Sequence, residues 1–326
     1  MFYPGSAISQ RALDSRMRCA LADSLTHVAA VSADNLKVAE ADLTGALSEI
    51  RAHRISPGVF GRYYDLVFAF AAERHDDAQR LWREIVRLAR KQPQFSILPY
   101  DEGALGPDTE RYARLLSLEA ESTVVLTAPR EEEWVRFKES ATAALALIEA
   151  ADAALASEIR ELVIEVVGAS RSAHAGRGFG GASSFMLWGS VLLNTEYYDA
   201  KLDMMAALLH ETAHQLLFGL SLDQPVVEND VEERYASPLR PDPRPMDGIF
   251  HATFVCARMH YGYARLMESQ TVALDCADRT LVEQRQRKYR SKFFDGLATI
   301  QHHGRITANG DRILTAATDY MRSVKQ

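Results

Sequence analysis

The chain has 326 residues, 47% of them hydrophobic, and is long enough to bury a substantial core in one large domain or two ordinary ones. Its 37 Lys and Arg residues are outnumbered by 44 Asp and Glu residues, and the formal net charge of -7 argues against a nucleic-acid partner or an anionic membrane surface. Three widely spaced cysteines, no signal-peptide pattern and no window near about 18 uninterrupted apolar residues predict a cytoplasmic protein without a disulfide framework or a membrane span.

The first half of the chain is predicted to be a succession of amphipathic helices. From residue 7 to about residue 162, apolar residues recur three or four positions apart, as at Leu81, Ile85 and Leu88. Breakers that contain proline and glycine separate the helices. The alanine-rich stretch Ala141–Ala156 has neither residue and is predicted to be a helix instead of a linker.

A change of structure type follows. The β-branched run at residues 160–168 predicts the first strand, and residues 185–193 predict a second. The Gly- and Ser-rich stretch between them, residues 170–184, predicts an exposed loop. We therefore expect an α+β protein that is predominantly α-helical. A helical region is expected over residues 1–158 and a metal-binding catalytic region over residues 159–326, although the two could form one continuous domain.

The stretch from Leu208 to Leu217 carries the strongest chemical signal. It places His210 and His214 four residues apart in an apolar helical segment, so both imidazoles project from nearly the same face and can bind one ion. Glu211 lies between them, in the pattern His-Glu-x-x-His. Five positions with three fixed also occur by chance, but the apolar framing in a helix after a strand favours a metal site over that alternative.

The sequence also predicts the elements around this motif. The metal helix is predicted to begin between residues 195 and 199 and to end at Gly219, which suits a left-handed C-terminal position. Four prolines between residues 238 and 245 predict a strap that runs extended over the protein. A helix is predicted from Ile249 to Met267, with two or three more over residues 268–326.

Two residues compete to be the third metal ligand. Glu233 lies 19 residues after His214, a separation used by one class of zinc peptidases, but its acidic surroundings are more simply explained as a solvated face. His251 follows the strap on an apolar helix, where a histidine is more often a satisfied core residue than a ligand. Spacing alone leaves both open.

Two segments together resemble a known family, the HExxH-type 2-oxoglutarate- and Fe(II)-dependent peptide β-hydroxylases of ribosomal peptide natural-product clusters. The likeness covers about residues 185–265, and the helical first half is similar only in general character. The segments are His210-Glu211-Thr-Ala-His214 and Tyr235-Ala-Ser-Pro-Leu-Arg240-Pro-Asp-Pro-Arg244-Pro-Met-Asp-Gly248-Ile-Phe-His251. One departure is Ala252, where the family pattern leads us to expect glycine.

The resemblance implies His210, His214 and His251 as iron ligands and an arginine of the strap as the 2-oxoglutarate anchor. Three imidazoles leave positions on Fe(II) for 2-oxoglutarate and O2. Arg244 is the favoured anchor because it is nearer His251, and Arg240 is the alternative; either could make a bidentate pair with the distal carboxylate or simply hold the strap.

Other residues have less defined expected roles. Glu211 would be the general base of a zinc peptidase, but in an oxygenase it would ligate the metal or orient a ligand. Tyr235 and His174 are candidates for substrate contact, and a loop without a role is as good an explanation of His174.

The expected function is β-hydroxylation of a residue in a ribosomally made precursor peptide, with the helical first half as a candidate for peptide recognition. The alternative is a zinc peptidase with His210, His214 and Glu233 as ligands and Glu211 as general base. In a third class, a non-catalytic binding or scaffolding protein, the motif would be structural. The sequence leaves the oligomeric state open.

Overall fold

The fold is predominantly α-helical with one small mixed sheet, as the sequence predicts. A computed structural model describes residues 10–32, 39–119, 125–171 and 179–324. Among the described helices, none combines the length and apolar character needed to cross a bilayer. His174 lies outside the described residues.

Twelve α-helices occur within the described residues. They are α1 (Gln10–Val31), α2 (Glu40–Ala52), α3 (Pro57–Ala71), α4 (His75–Ala89), α5 (Glu102–Leu105), α6 (Asp108–Glu119), α7 (Glu131–Ala151), α8 (Ala153–Leu162), α9 (Lys201–Leu220), α10 (Met246–Glu268), α11 (Cys276–His303) and α12 (Ala308–Ser323). Five strands accompany them in the same described ranges. They are β1 (Ser96–Pro99), β2 (Leu126–Thr127), β3 (Glu165–Arg171), β4 (Gly181–Ser183) and β5 (Ser190–Asn194).

The described chain divides into two compact units. Residues 139–159 and 198–324 with Gln10 form one, here called the helical unit, and residues 11–138 and 160–197 form the other, here called the sheet unit. Neither unit is continuous in sequence. The functional division expected after residue 158, with peptide recognition before it and catalysis after it, stays a prediction.

The sheet unit is built on three parallel strands. β3 pairs in parallel with β1 on one side and with β5 on the other, with Val166 opposite Ile97 and Val191. β4 pairs antiparallel with β5, and β2 pairs antiparallel with β3. β5 is buried along its whole length, and its three central residues, 191–193, are consecutive apolar residues instead of an alternating pattern.

The two predicted strands are shorter than expected. The first begins at Glu165 because residues 160–162 complete α8. The second begins at Ser190, after a 3-10 turn whose start is capped by the side chain of Ser184 accepting from the Met186 N–H. Gly189 then takes a positive φ of 89°, which separates the turn from the strand.

The helical unit is organised around α10, which packs against α9, α11 and α12. Two glycines permit these close approaches. A Cβ at Gly262 on α10 would lie 2.4 Å from Leu209 Cδ1 on α9. A Cβ at Gly296 on α11 would lie 2.1 Å from Thr253 Oγ1 on α10 and 3.0 Å from Pro238 of the strap. The segment around Pro238 is therefore packed where α10 and α11 meet.

We predict that Gly296→Ala destabilises the protein by about 1 to 3 kcal/mol, because the β-branched Thr253 is buried and cannot rotate away without strain. Gly45→Ala on α2 is the matched control. Its Cβ would meet nothing within 4 Å, so alanine should stabilise that helix by up to about 1 kcal/mol. Chemical denaturation measures both, and a neutral Gly296→Ala would contradict the packing argument.

Candidate metal centre

One face of α9 carries three rings spaced four residues apart: His210, His214 and Phe218. The Nε2 atoms of the two histidines are 3.3 Å apart, and their ring centroids are separated by 5.0 Å. Phe218 stacks on His214 with centroids 6.3 Å apart. The four-residue spacing read from the sequence therefore produces a continuous stripe of rings.

His251 approaches this stripe from α10. Its Nδ1 lies 3.2 Å from Nδ1 of His214, and the two rings stack with centroids 5.4 Å apart. The ring of Phe218 is 5.5 Å from that of His251, so it borders both imidazoles. Of the two residues that competed to be the third ligand, His251 is the one that the structure places beside the histidine pair.

Burial and positive charge keep the histidine pair neutral. Burial, and secondly the charge of Arg240, lower the pKa of His210 to about 4. Burial also lowers the pKa of His214 well below its ordinary value, with further contributions from His210, His251 and Arg240. Neutral imidazole is the form that binds a metal ion.

The spacing of the histidine pair suits a shared ion. Two nitrogens bound to one ion at about 2.1 Å lie roughly 3.0 to 3.4 Å apart at ordinary bond angles, which matches His210 and His214. Yet no three His, Cys, Asp or Glu side chains within the described ranges form a closed metal-binding group. The reason lies at His214, which faces His210 with Nε2 but faces His251 with Nδ1.

The proline-rich strap does not run extended as predicted. It folds back on itself, and the backbones of Tyr235 and Arg244 exchange two hydrogen bonds of 2.8 and 2.9 Å. At the tip of this loop, the Ser237 hydroxyl accepts from the backbone N–H groups of Leu239 and Arg240. The prolines exclude helix, as expected, but the two ends pair as a hairpin.

The hairpin separates the two candidate anchors. Arg240 is exposed at the loop, forms no ion pair with a described residue, and lies close enough to His210 and His214 to lower the pKa of both. Arg244 instead has its Nε 3.2 Å from Asp242 Oδ2. Its backbone is also engaged with Tyr235. The charge facing the histidine pair is therefore that of Arg240, although sequence proximity favours Arg244.

Glu233 belongs to a different cluster. It lies outside the helices, and its carboxylate accepts from the Tyr235 hydroxyl at 2.7 Å and from Asn229 Nδ2 at 3.0 Å. Arg305 is 3.4 Å away. The peptidase interpretation needs Glu233 on a helix beside the metal helix, whereas here it fastens the start of the strap.

Tyr235, expected to contact substrate, is occupied in the same cluster. Its hydroxyl donates to Glu233, and its ring lies 5.1 Å from that of His303. Glu211 is buried on α9, adjacent in sequence to His210. These positions give Tyr235 a role in holding the strap and leave the role of Glu211 a prediction.

Two residues at the site were missed by the sequence analysis. Phe218 continues the spacing of His210 and His214, and that spacing was sufficient to find it. Asp247 lies one turn before His251, with Oδ2 3.8 Å from His251 Nε2. It was missed because α10 begins at Met246, directly after Pro245, three residues earlier than predicted.

The predicted end of α9 at Gly219 was wrong. The helix continues to Leu220, and Ser221 ends it with φ -99°. The Ser221 hydroxyl donates to the carbonyl oxygens of Leu217 and Phe218, which replaces the left-handed glycine cap.

Comparisons with known proteins do not assign the chain to a family. No protein-family description matches the chain, and no curated protein is significantly similar to it.

We predict that His251→Ala lowers the affinity for Co(II) or Fe(II) at least about tenfold, while Glu233→Ala leaves it within about twofold of the parent protein. Anaerobic calorimetric titration measures both affinities, with circular dichroism to verify folding. The opposite ranking would assign Glu233 to the metal shell.

Proposed function

We propose that this protein is an Fe(II)- and 2-oxoglutarate-dependent oxygenase that hydroxylates a β-carbon in a ribosomally made peptide. The observation that carries the proposal is the cluster of His210, His214 and His251 facing the charge of Arg240. The resemblance in the sequence supplies the peptide substrate and the type of reaction.

The three histidines fit an iron site by donor chemistry. Neutral imidazoles suit Fe(II), and His210 and His214 already have metal-compatible spacing. A rotation of His251 that brings one of its nitrogens toward His214 Nε2 would complete the shell. Fe(II) held by these histidines would supply, with 2-oxoglutarate and O2, the oxidation of a peptide C–H bond to C–OH, with succinate and carbon dioxide as the other products.

Charge balance supports an anionic cosubstrate. Because an imidazole bound to a metal is neutral, three such ligands would leave the two positive charges of Fe(II) uncompensated, and Arg240 adds a third nearby. The two carboxylates of 2-oxoglutarate oppose these charges, one at the metal and one at a guanidinium. A site of this composition favours a dianion more than a neutral peptide carbonyl.

The neighbouring residues have complementary tasks. Arg240 pairs with the distal carboxylate of 2-oxoglutarate, since its guanidinium has no carboxylate partner among the described residues, whereas Arg244 holds Asp242. Asp247 Oδ2 lies 3.8 Å from His251 Nε2, so a small turn of His251 would let Asp247 accept a hydrogen bond from Nε2 and would leave Nδ1 for the metal. Phe218 covers one side of two imidazoles and excludes water there.

The zinc-peptidase alternative retains the same histidine pair. Its required third ligand, Glu233, has its carboxylate committed to Tyr235 and Asn229. Glu211 is present for either chemistry, so it does not discriminate between them. The position of His251 is the feature that favours the oxygenase.

We predict that Fe(II)-loaded protein given 2-oxoglutarate and O2 releases succinate and adds one oxygen atom to a susceptible peptide. Mass spectrometry of a peptide library detects the added oxygen, and His214→Ala protein is the control for adventitious iron. Cleavage of the library by Zn(II)-loaded protein, without any need for 2-oxoglutarate, would contradict the proposal.

The two arginines give a second prediction. Arg240→Gln should weaken binding of 2-oxoglutarate to the metal-loaded protein at least about tenfold, since one charge-assisted pair is lost. Arg244→Gln is the matched control on the same loop and should change it by less than about threefold. Anaerobic calorimetry in the presence of Mn(II) measures both, and equal effects would remove Arg240 from this role.

A further inference from the structure

A separate cavity in the sheet unit is lined by charged residues that the proposed chemistry does not use. Its volume is about 260 Å³, and four arginines contribute to its wall. They come from two places: Arg74 and Arg80 from the start of α4, and Arg111 and Arg114 from α6. In a chain of net charge -7, this is a local concentration of positive charge.

The arginines form two pairs, each centred on one aspartate. Asp77 accepts from Arg74 at 3.0 Å and from Arg80 at 2.9 Å. Asp65 accepts from Arg111 at 2.6 Å and also from Arg114. The cavity wall thus has four guanidinium groups against two carboxylates.

The buried part of this network is structural. Arg111 also bonds Asp108, and the buried Arg62 bridges Asp108 and Glu84, which in turn lies 3.5 Å from Arg80. Counted with these partners, the network contains five arginines and four carboxylates.

Three of the arginines have N–H groups that their carboxylate partners do not use. The side chains of Arg74, Arg80 and Arg114 are 57%, 59% and 46% exposed, and each uses one or two of its five N–H groups. Phe68 adds an apolar wall and is itself 38% exposed, which is unusual for phenylalanine. The cavity lining therefore combines cationic donors with an aromatic ring.

The backbone beside the cavity is held in a costly conformation. Glu73 is the one non-glycine residue with positive φ, at 55°, in the described ranges. Its N–H bonds Phe70 O, and the N–H of Arg74 bonds Ala69 O at 2.8 Å. A residue in this conformation is ordinarily glycine. The turn joins α3 to α4 and fixes the position of Arg74 in the cavity wall.

We propose that this cavity binds an acidic peptide segment in which two carboxylates flank an apolar side chain. Two separate arginine pairs suit two carboxylates spaced along a chain better than a single phosphate, which needs convergent donors. The volume accommodates a few side chains and falls below the usual range of about 300 to 1,000 Å³ for small-molecule pockets. The planar guanidinium groups match carboxylates bidentately, and Phe68 meets the apolar residue.

Binding of a fluorescein-labelled peptide of alternating Glu and Leu to the full chain tests this proposal by fluorescence anisotropy. The same peptide with Gln in place of Glu is the ligand control. Arg74→Gln with Arg80→Gln should raise the dissociation constant at least about tenfold, and Phe68→Ala at least about threefold. Arg83→Gln, an exposed arginine of α4 outside the cavity wall, should change it by less than twofold.

Three outcomes would overturn the proposal: equal binding of the Gln peptide, an equal effect of Arg83→Gln, or displacement of the peptide by millimolar inorganic phosphate with no effect of Phe68→Ala. The last would indicate a phosphate site. The substituted side chains are half-exposed or at the cavity rim, and circular dichroism verifies that the variants fold. The assay needs no metal or 2-oxoglutarate, so its result is independent of the proposed oxygenase.

Discussion

The close packing of α10 against α9 and α11 is the constraint that creates the candidate metal centre. Gly262 lets the backbone of α10 approach Leu209, the residue before His210, and Gly296 admits Thr253, two residues after His251. Because interhelical distance is set by the side chains at the contact, larger residues at these positions would separate the helices. The third histidine would then leave the first two.

The electrostatic character of the centre follows from this packing. Partial burial lowers the pKa of His210 to about 4 and that of His214 well below its ordinary value, so both rings are neutral donors. The strap adds a positive charge at Arg240 because its ends pair and its tip turns at Ser237. The neutral histidine pair, the imidazole of His251 and the charge of Arg240 form the environment that we propose binds a divalent metal with a dianionic cosubstrate.

Sequence reasoning was most successful where the signal was local. The four-residue spacing of His210 and His214 predicted their shared face, and the prolines predicted a non-helical strap. The hairpin pairing of Tyr235 with Arg244 was not predictable, because it joins residues nine positions apart through backbone groups that every residue has. The choice between Glu233 and His251 likewise depends on tertiary contacts. Glu233 bonds Tyr235 and Asn229, whereas His251 faces α9.

Anomalous X-ray scattering from crystals grown anaerobically with Fe(II) and 2-oxoglutarate addresses the metal centre directly. Data collected on both sides of the iron absorption edge locate the ion without reference to activity. A three-histidine iron site predicts one peak within about 2.2 Å of a nitrogen of each of His210, His214 and His251, with the cosubstrate between the ion and Arg240. A peak coordinated by Glu233, or one held by His210 and His214 with His251 turned away, would contradict it.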